Sequence, residues 1–334
     1  MIGFKYKIVI FILLLLSVLT SYLYFGEMIF NTAEYPMWKS KFDYIEKNHT
    51  AKNIIIGDSR AIAGFVPKIL SKNFYNFALG GGTPIESYYI LKKYLEKQKL
   101  DTVIISFSPI HLEKSIVFFE RTLKFNFLST KEISEVLSVT KKLNDNFPDS
   151  LNGNKGFKLP FDYYLFKSKT YLIKYKFFPY YVKDFRGSLY KPMYSTNKIV
   201  YDEINDRCGN YDFGRNDSAV GLNFEALEKR AFRNSRVMDF YLKKILKLVS
   251  DNNIKAYYII APFNRDSYEH IDSNYVMKYN AYFDVLKTQY KNIVWKNEIF
   301  YYKNNCFGDP SHLNTRGQMK FSNYVKREVL KNAF

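Results

Sequence analysis

The chain has 334 residues, enough for one large domain or two ordinary ones. Apolar residues make up 47% and aromatics 19%, which supplies a sizeable core and excludes a globally disordered chain. The formal net charge is +18. The basic residues are scattered, with no Lys/Arg block and no nucleic-acid-binding motif. Nucleic acid is therefore not expected as a partner, while anionic lipid or an acidic polymer stays open.

Residues 8–25 (IVIFILLLLSVLTSYLYF) carry no charge. As a helix they rise about 27 Å, close to the hydrocarbon thickness of a bilayer. Lys5 and Lys7 precede the run and Glu27 follows it, which puts the N-terminus in the cytoplasm and the rest outside. A cleaved signal peptide is the rival reading, but its apolar core is ordinarily shorter and no small-x-small cleavage site is evident. The expected organisation is a cytoplasmic stub and membrane anchor over 1–30, then an extracytoplasmic domain over 31–334.

After a short helix over 36–48, strands and helices alternate. Residues 53–57 (NIIIG), 74–79 (FYNFAL), 102–107 (TVIISF), 255–261 (KAYYIIA) and 292–296 (NIVWK) are short apolar runs of the buried-parallel-strand kind. Between and after them the spacing predicts helices over 84–97 (Tyr88, Leu91 and Leu95 on one face), through Met238, Tyr241, Leu242, Ile245, Leu248 and Val249, and over about 268–288 and 315–332. Strands separated by helices imply a parallel sheet with right-handed crossovers and helices on both faces.

Residues 113–225 break this rhythm and read as a central, mostly helical insertion. Its 161–185 stretch is dense in aromatics and lysines, which suits either a membrane- or polymer-facing surface or the core of an inserted helical subdomain. The two cysteines, Cys208 and Cys306, are either a disulfide across this insertion or two separate thiols. No metal-ligand spacing or cofactor motif stands out, so neither group is expected.

Chemistry concentrates at two places. Gly57-Asp58-Ser59-Arg60 sits where the first strand ends, on the side of a parallel sheet where sites form. A Ser on such a turn is a nucleophile if a base lies nearby, although Gly, Asp and Ser are also ordinary turn residues. Asp309-Pro310-Ser311-His312-Leu313-Asn314 precedes the last helix. Its His is a candidate base and its Asp a candidate orienting group, with helix capping by Asn314 or Ser311 as the plain structural alternative.

Gly-Asp-Ser after the first strand with Asp-x-x-His before the last helix resembles the SGNH, or GDSL-like, hydrolase superfamily. The resemblance covers about 50–112 and 237–334. It implies a three-layer, flavodoxin-like parallel sheet and a triad of Ser59, His312 and Asp309. The family's second block corresponds to Asn76-Phe77-Ala78-Leu79-Gly80-Gly81-Gly82-Thr83, matching at Asn76, Gly81 and Thr83. It implies an oxyanion hole from the backbone N–H groups of Gly81 and Ser59. The third block usually supplies an Asn, but this chain reads Ile105-Ser106-Phe107-Ser108-Pro109-Ile110-His111, leaving Ser108 or His111 as substitutes.

The anchor, the missing Asn and the long insertion look most like the membrane-anchored acyl-transfer branch, which includes the D-alanyl transfer protein of teichoic acid assembly and the alginate O-acetylation proteins. The resemblance implies a serine O-acyltransferase acting on a cell-surface polymer or glycan beside a polytopic membrane O-acyltransferase. An extracytoplasmic esterase or deacetylase and a non-catalytic envelope-assembly scaffold are the alternatives.

Overall fold

A computed structural model describes residues 3–30, 34–47, 50–115, 117–123, 125, 127–145, 193–213 and 221–331. The aromatic 161–185 stretch lies outside the described residues. Helix α1 (Phe4–Phe30) leads into α2 (Glu34–Glu46). Then β1 (Asn53–Gly57), α3 (Ser59–Gly64), α4 (Pro67–Leu70), β2 (Phe74–Asn76), α5 (Pro84–Leu95), β3 (Thr102–Ser106) and α6 (Pro109–Glu113) follow. A π-helical turn spans Phe118–Leu123, and α7 (Thr130–Leu143), α8 (Tyr194–Asp206) and α9 (Phe224–Leu227) fall within the insertion or at its end. The chain returns with α10 (Arg236–Asp251), β4 (Lys255–Ile259), β5 (Phe263–Asn264), α11 (Arg265–His270), α12 (Ser273–Gln289), β6 (Ile293–Lys296), β7 (Tyr301–Tyr302) and α13 (Thr315–Tyr324).

The five expected strands form one parallel sheet in the order β2-β1-β3-β4-β6. This is the flavodoxin-like doubly wound order, whose switch point falls between β1 and β3. Strand alternation divides the core. Ile54, Ile56, Val103, Ile105 and Tyr258 point to one face, covered by Tyr89 and Tyr94 of α5, Tyr241 and Ile245 of α10, and Tyr279 and Phe283 of α12. Ile55, Ile104, Tyr257 and Ile259 point to the other, covered by Ala61 and Ile62 of α3 and Phe321 of α13. The fold is thus α/β with helices on both faces of the sheet.

Several boundaries differ from expectation. Strand β2 stops at Asn76 rather than 79. The fully buried Asn76 amide donates to Ala61 O (2.9 Å) and Phe65 O (3.1 Å) and accepts from Ala78 N (3.0 Å), turning the chain out of the sheet. The helix expected over 268–288 is two, because the Asp272 carboxylate caps a new start by accepting from Asn274 N (2.7 Å). On α5 the buried stripe is Ile85, Tyr89, Ile90, Leu91 and Tyr94, with Tyr88 and Leu95 only packed at its edge.

Cys208 and Cys306 are free thiols. Cys208 packs against the cluster on one face of the sheet and Cys306 belongs to the cluster on the other, so the proposed bond across the insertion does not form.

The apolar residues of α1 are exposed from Phe4 to Val18. Among the described residues no helix is long and apolar enough to cross a membrane. The side chains of 19–27 within α1 lie outside that description. At its far end α1 is tied to α8: Asn197 Nδ2 donates to Met28 O at 2.8 Å.

Candidate active site

Asp58 ends β1 and starts α3. Its Oδ1 accepts from the N–H groups of Arg60 (2.9 Å) and Ala61 (3.4 Å), the N-cap arrangement that short acidic side chains favour. Its Oδ2 accepts from Ser108 N (2.6 Å) and from the Ser108 hydroxyl. One fully buried carboxylate therefore pins the end of β3 to the end of β1 at the switch point. Ser59 follows as the first residue of α3, half-buried, with its N–H among those that a helix start leaves unpaired.

The last loop brings its residues to that turn. The Ser59 hydroxyl lies 2.7 Å from His312 Nε2, and His312 Nδ1 lies 2.6 Å from Asp309 Oδ2. A carboxylate only accepts, so Nδ1 carries the ring proton and Nε2 is free to accept from Ser59. The other Asp309 oxygen accepts from Ser311 N (2.7 Å) and His312 N (2.9 Å), fixing the carboxylate on the ring. Asn314 caps α13 by accepting from Gly317 N (3.0 Å), so the capping alternative and the site coexist. The loop is braced from β5, where the buried Asn264 amide donates to Pro310 O (2.9 Å) and Gly221 O (3.1 Å).

The Phe213 ring stacks on His312 with centroids 4.4 Å apart and planes inclined by 22°. Behind Ser59, Arg60 is buried against the Phe263 ring (4.7 Å) and paired with the fully buried Glu225 of α9 at 2.5 Å. Neither contact was foreseen. The Phe213 contact joins residues far apart in the chain, and Arg60 reads as an exposed turn residue.

The Gly-rich turn has the shape its sequence suggests at one position, Gly81, whose φ is +70° and where a side chain would strike Val117. The N–H of Leu79 donates to Gly57 O (3.0 Å), that of Gly82 to Leu79 O (2.9 Å), and that of Thr83 to Glu86 Oε2 (2.8 Å). No acceptor among the described residues bonds the N–H of Gly80 or Gly81. Thr83 and Glu86 form the capping box that opens α5.

The third-block substitutes fare differently from the triad residues. The Ser108 hydroxyl is given to Asp58 and is not available to a substrate. His111 is buried with Nδ1 unpartnered, and no hydrogen bond ties it to Ser59, His312 or Asp309. Burial lowers its pKa, against the pull of Asp58 and Glu225, keeping the ring neutral. Among the described residues no group of three or more His, Cys, Asp or Glu is arranged to hold a metal.

With this geometry in place, the family assignment rests on a match over residues 11–326. The chain belongs to the DUF1574 family. That family is described as a protein of unknown function. Among curated proteins none matches the chain.

Burial would raise the Asp309 carboxyl, but the hydrogen bond and charge of His312 and the two backbone N–H groups together hold it below its ordinary value. A depressed carboxyl contributes stability that is present above the unfolded pKa, about 3.9, and lost as pH falls through the folded value. Asp309→Asn removes this titration. Its stability deficit against the wild type is expected to shrink as pH falls below about 4. The effect is modest, because the side chain is 41% exposed. Melting curves of both proteins from pH 6 to about 2.5 check it, and a constant deficit across that range would refute it.

Proposed function

We propose that this protein is a membrane-anchored serine O-acyltransferase of the SGNH-like kind, modifying a cell-surface polymer or glycan. The observation that carries the reading is the continuous Ser59–His312–Asp309 relay at the carboxyl end of β1. The Ser59 hydroxyl attacks the carbonyl carbon of an acyl donor while His312 Nε2 takes its proton. The tetrahedral oxyanion is met by the N–H groups of Ser59 and Gly81. Collapse breaks the bond to the leaving group, which takes the proton from His312 and leaves an acyl-Ser59 ester. An acceptor hydroxyl then gives its proton to His312 and attacks that ester, and Ser59 recovers its proton as the new ester departs.

The uncharged 8–25 run supports an anchor, with its two preceding lysines on the cytoplasmic side and the site outside. The partner that fits an acyl donor arriving through the membrane is a polytopic O-acyltransferase. Water in place of the acceptor hydroxyl would make the protein an esterase or deacetylase.

The ester content of surface polymers, compared between cells carrying wild-type protein and Ser59→Ala, tests the reading. Loss of esters in the variant is expected for transfer. A rise would assign hydrolysis instead. Unchanged esters with a stably expressed variant would leave the scaffold role and remove both enzymatic ones.

A further inference from the structure

Helix α2 reads as a spacer between the anchor and the first strand, yet it carries a lysine where a spacer has no use for one. Lys41 is 1% exposed, and its ammonium donates to the carbonyl of Ala78, at the entry to the Gly-rich turn. Burial lowers its pKa to about 7, opposed by the charge of Glu34. Burying an ammonium costs stability unless it is paired and hydrogen-bonded, and here the bond it makes is spent on the turn. About two helix turns away, Glu34 pairs with Arg121 of the π-helical turn at 3.2 Å. That pair lies directly over Gly80: a Cβ there would strike Glu34 and come within 2.9 Å of Arg121. Val117 closes over Gly81 in the same way, and Thr122 reaches beneath to donate to Glu86 Oε1, the residue that caps the turn's exit, at 2.5 Å.

The turn is thus held from outside at three points, Ala78, Gly80 and Gly81, by α2 and the 117–123 segment. It is also the turn whose N–H groups at Gly80 and Gly81 have no acceptor among the described residues. We propose that α2 belongs to the catalytic assembly, with Lys41 as a positioning residue that fixes the Ala78–Gly81 turn so that the Gly81 N–H faces the developing oxyanion beside Ser59. The inference rests on the acyl-transfer reading. It makes the first helix after the anchor a working part of the site, so that displacement of α2 at the membrane surface is felt at the oxyanion donor.

The test uses the full chain in detergent and a fluorophosphonate probe, with Ser59→Ala as blank. Lys41→Met keeps the stem and removes the donor. Its labelling at Ser59 is expected to show a maximal rate about 10- to 100-fold lower with unchanged probe affinity. Glu34→Gln, at the less buried end of α2, is expected to show a smaller loss of the same kind. Amide hydrogen exchange over 78–82 reads the clamp without needing Ser59 to react, and faster exchange is expected in Lys41→Met. A wild-type labelling rate in Lys41→Met, or unchanged exchange over 78–82, overturns the proposal. Failure of the wild type to label at Ser59 would count against the acyl-transfer reading instead, and the exchange arm would still decide on the clamp.

Discussion

Ser59→Ala and His312→Ala are each expected to reduce turnover of p-nitrophenyl acetate by the purified full chain to the small residual rate that binding and the oxyanion N–H groups supply without a triad. The loss is on the order of 10⁶-fold if the wild type works as other serine triads do. The Ser59→Ala,His312→Ala double variant should fall no further. Proton transfer from Ser59 to Nε2 and attack by Oγ are one event, so removing either group removes the event, and the effects do not add. Stability should change little for Ser59→Ala. The hydroxyl is half-buried at a turn whose shape is set by the Asp58 cap and the Asp58–Ser108 bonds, none of which involves the Ser59 side chain. Additive losses, or turnover close to the wild-type rate in either single variant, would show that another group supplies the nucleophile or the base.

The largest loss of stability is expected at Glu225. Its carboxylate is fully buried and compensates the Arg60 guanidinium, which is only 6% exposed, across 2.5 Å. It also accepts from Ile110 N at 3.4 Å. Glu225→Ala leaves a charged guanidinium in the interior with a ring on one side and no counter-charge. Such orphaned charges cost about 3–5 kcal/mol, which for a domain of this size corresponds to a drop of about 10 °C in Tm. Arg60→Met with Glu225→Met removes both charges and keeps volume, and should recover most of the loss. Thermal unfolding of the three proteins checks this. A Glu225→Ala variant within about 1 kcal/mol of wild type would mean that water reaches Arg60 and the pair is not a buried one. Because Arg60 follows Ser59 directly, turnover should also fall in Glu225→Ala and return in part in the double variant.

The sheet and the Ser-His-Asp cluster were legible in the sequence for one reason. A doubly wound sheet writes its strands as short apolar runs and places its site residues just past them. NIIIG followed by Asp-Ser, and Asp-x-x-His-x-Asn before the last helix, carry both signals locally. What was not legible depends on partners distant in the chain. Arg60 and Glu225 are 165 residues apart, and each looks like a solvated charge on its own. Lys41 sits on a helix of low mean apolarity, where a lysine reads as exposed. The break at Asp272 is written locally as a cap signal, Asp-Ser-Asn, and the single helix expected over 268–288 crosses it. Of the two third-block substitutes, Ser108 is claimed by the buried Asp58 carboxylate, to which its hydroxyl and its N–H both donate, a partner that no local pattern announces.

The most direct test of the central claim is to map the covalent adduct. The full-length protein is treated with a fluorophosphonate, digested and sequenced by mass spectrometry. A single phosphonyl group on Ser59 is expected in the wild type, none in Ser59→Ala, and a greatly slowed reaction in His312→Ala. An unmodified Ser59, a modification at another residue, or labelling of His312→Ala at the wild-type rate would contradict the assignment of Ser59 as a nucleophile activated by His312.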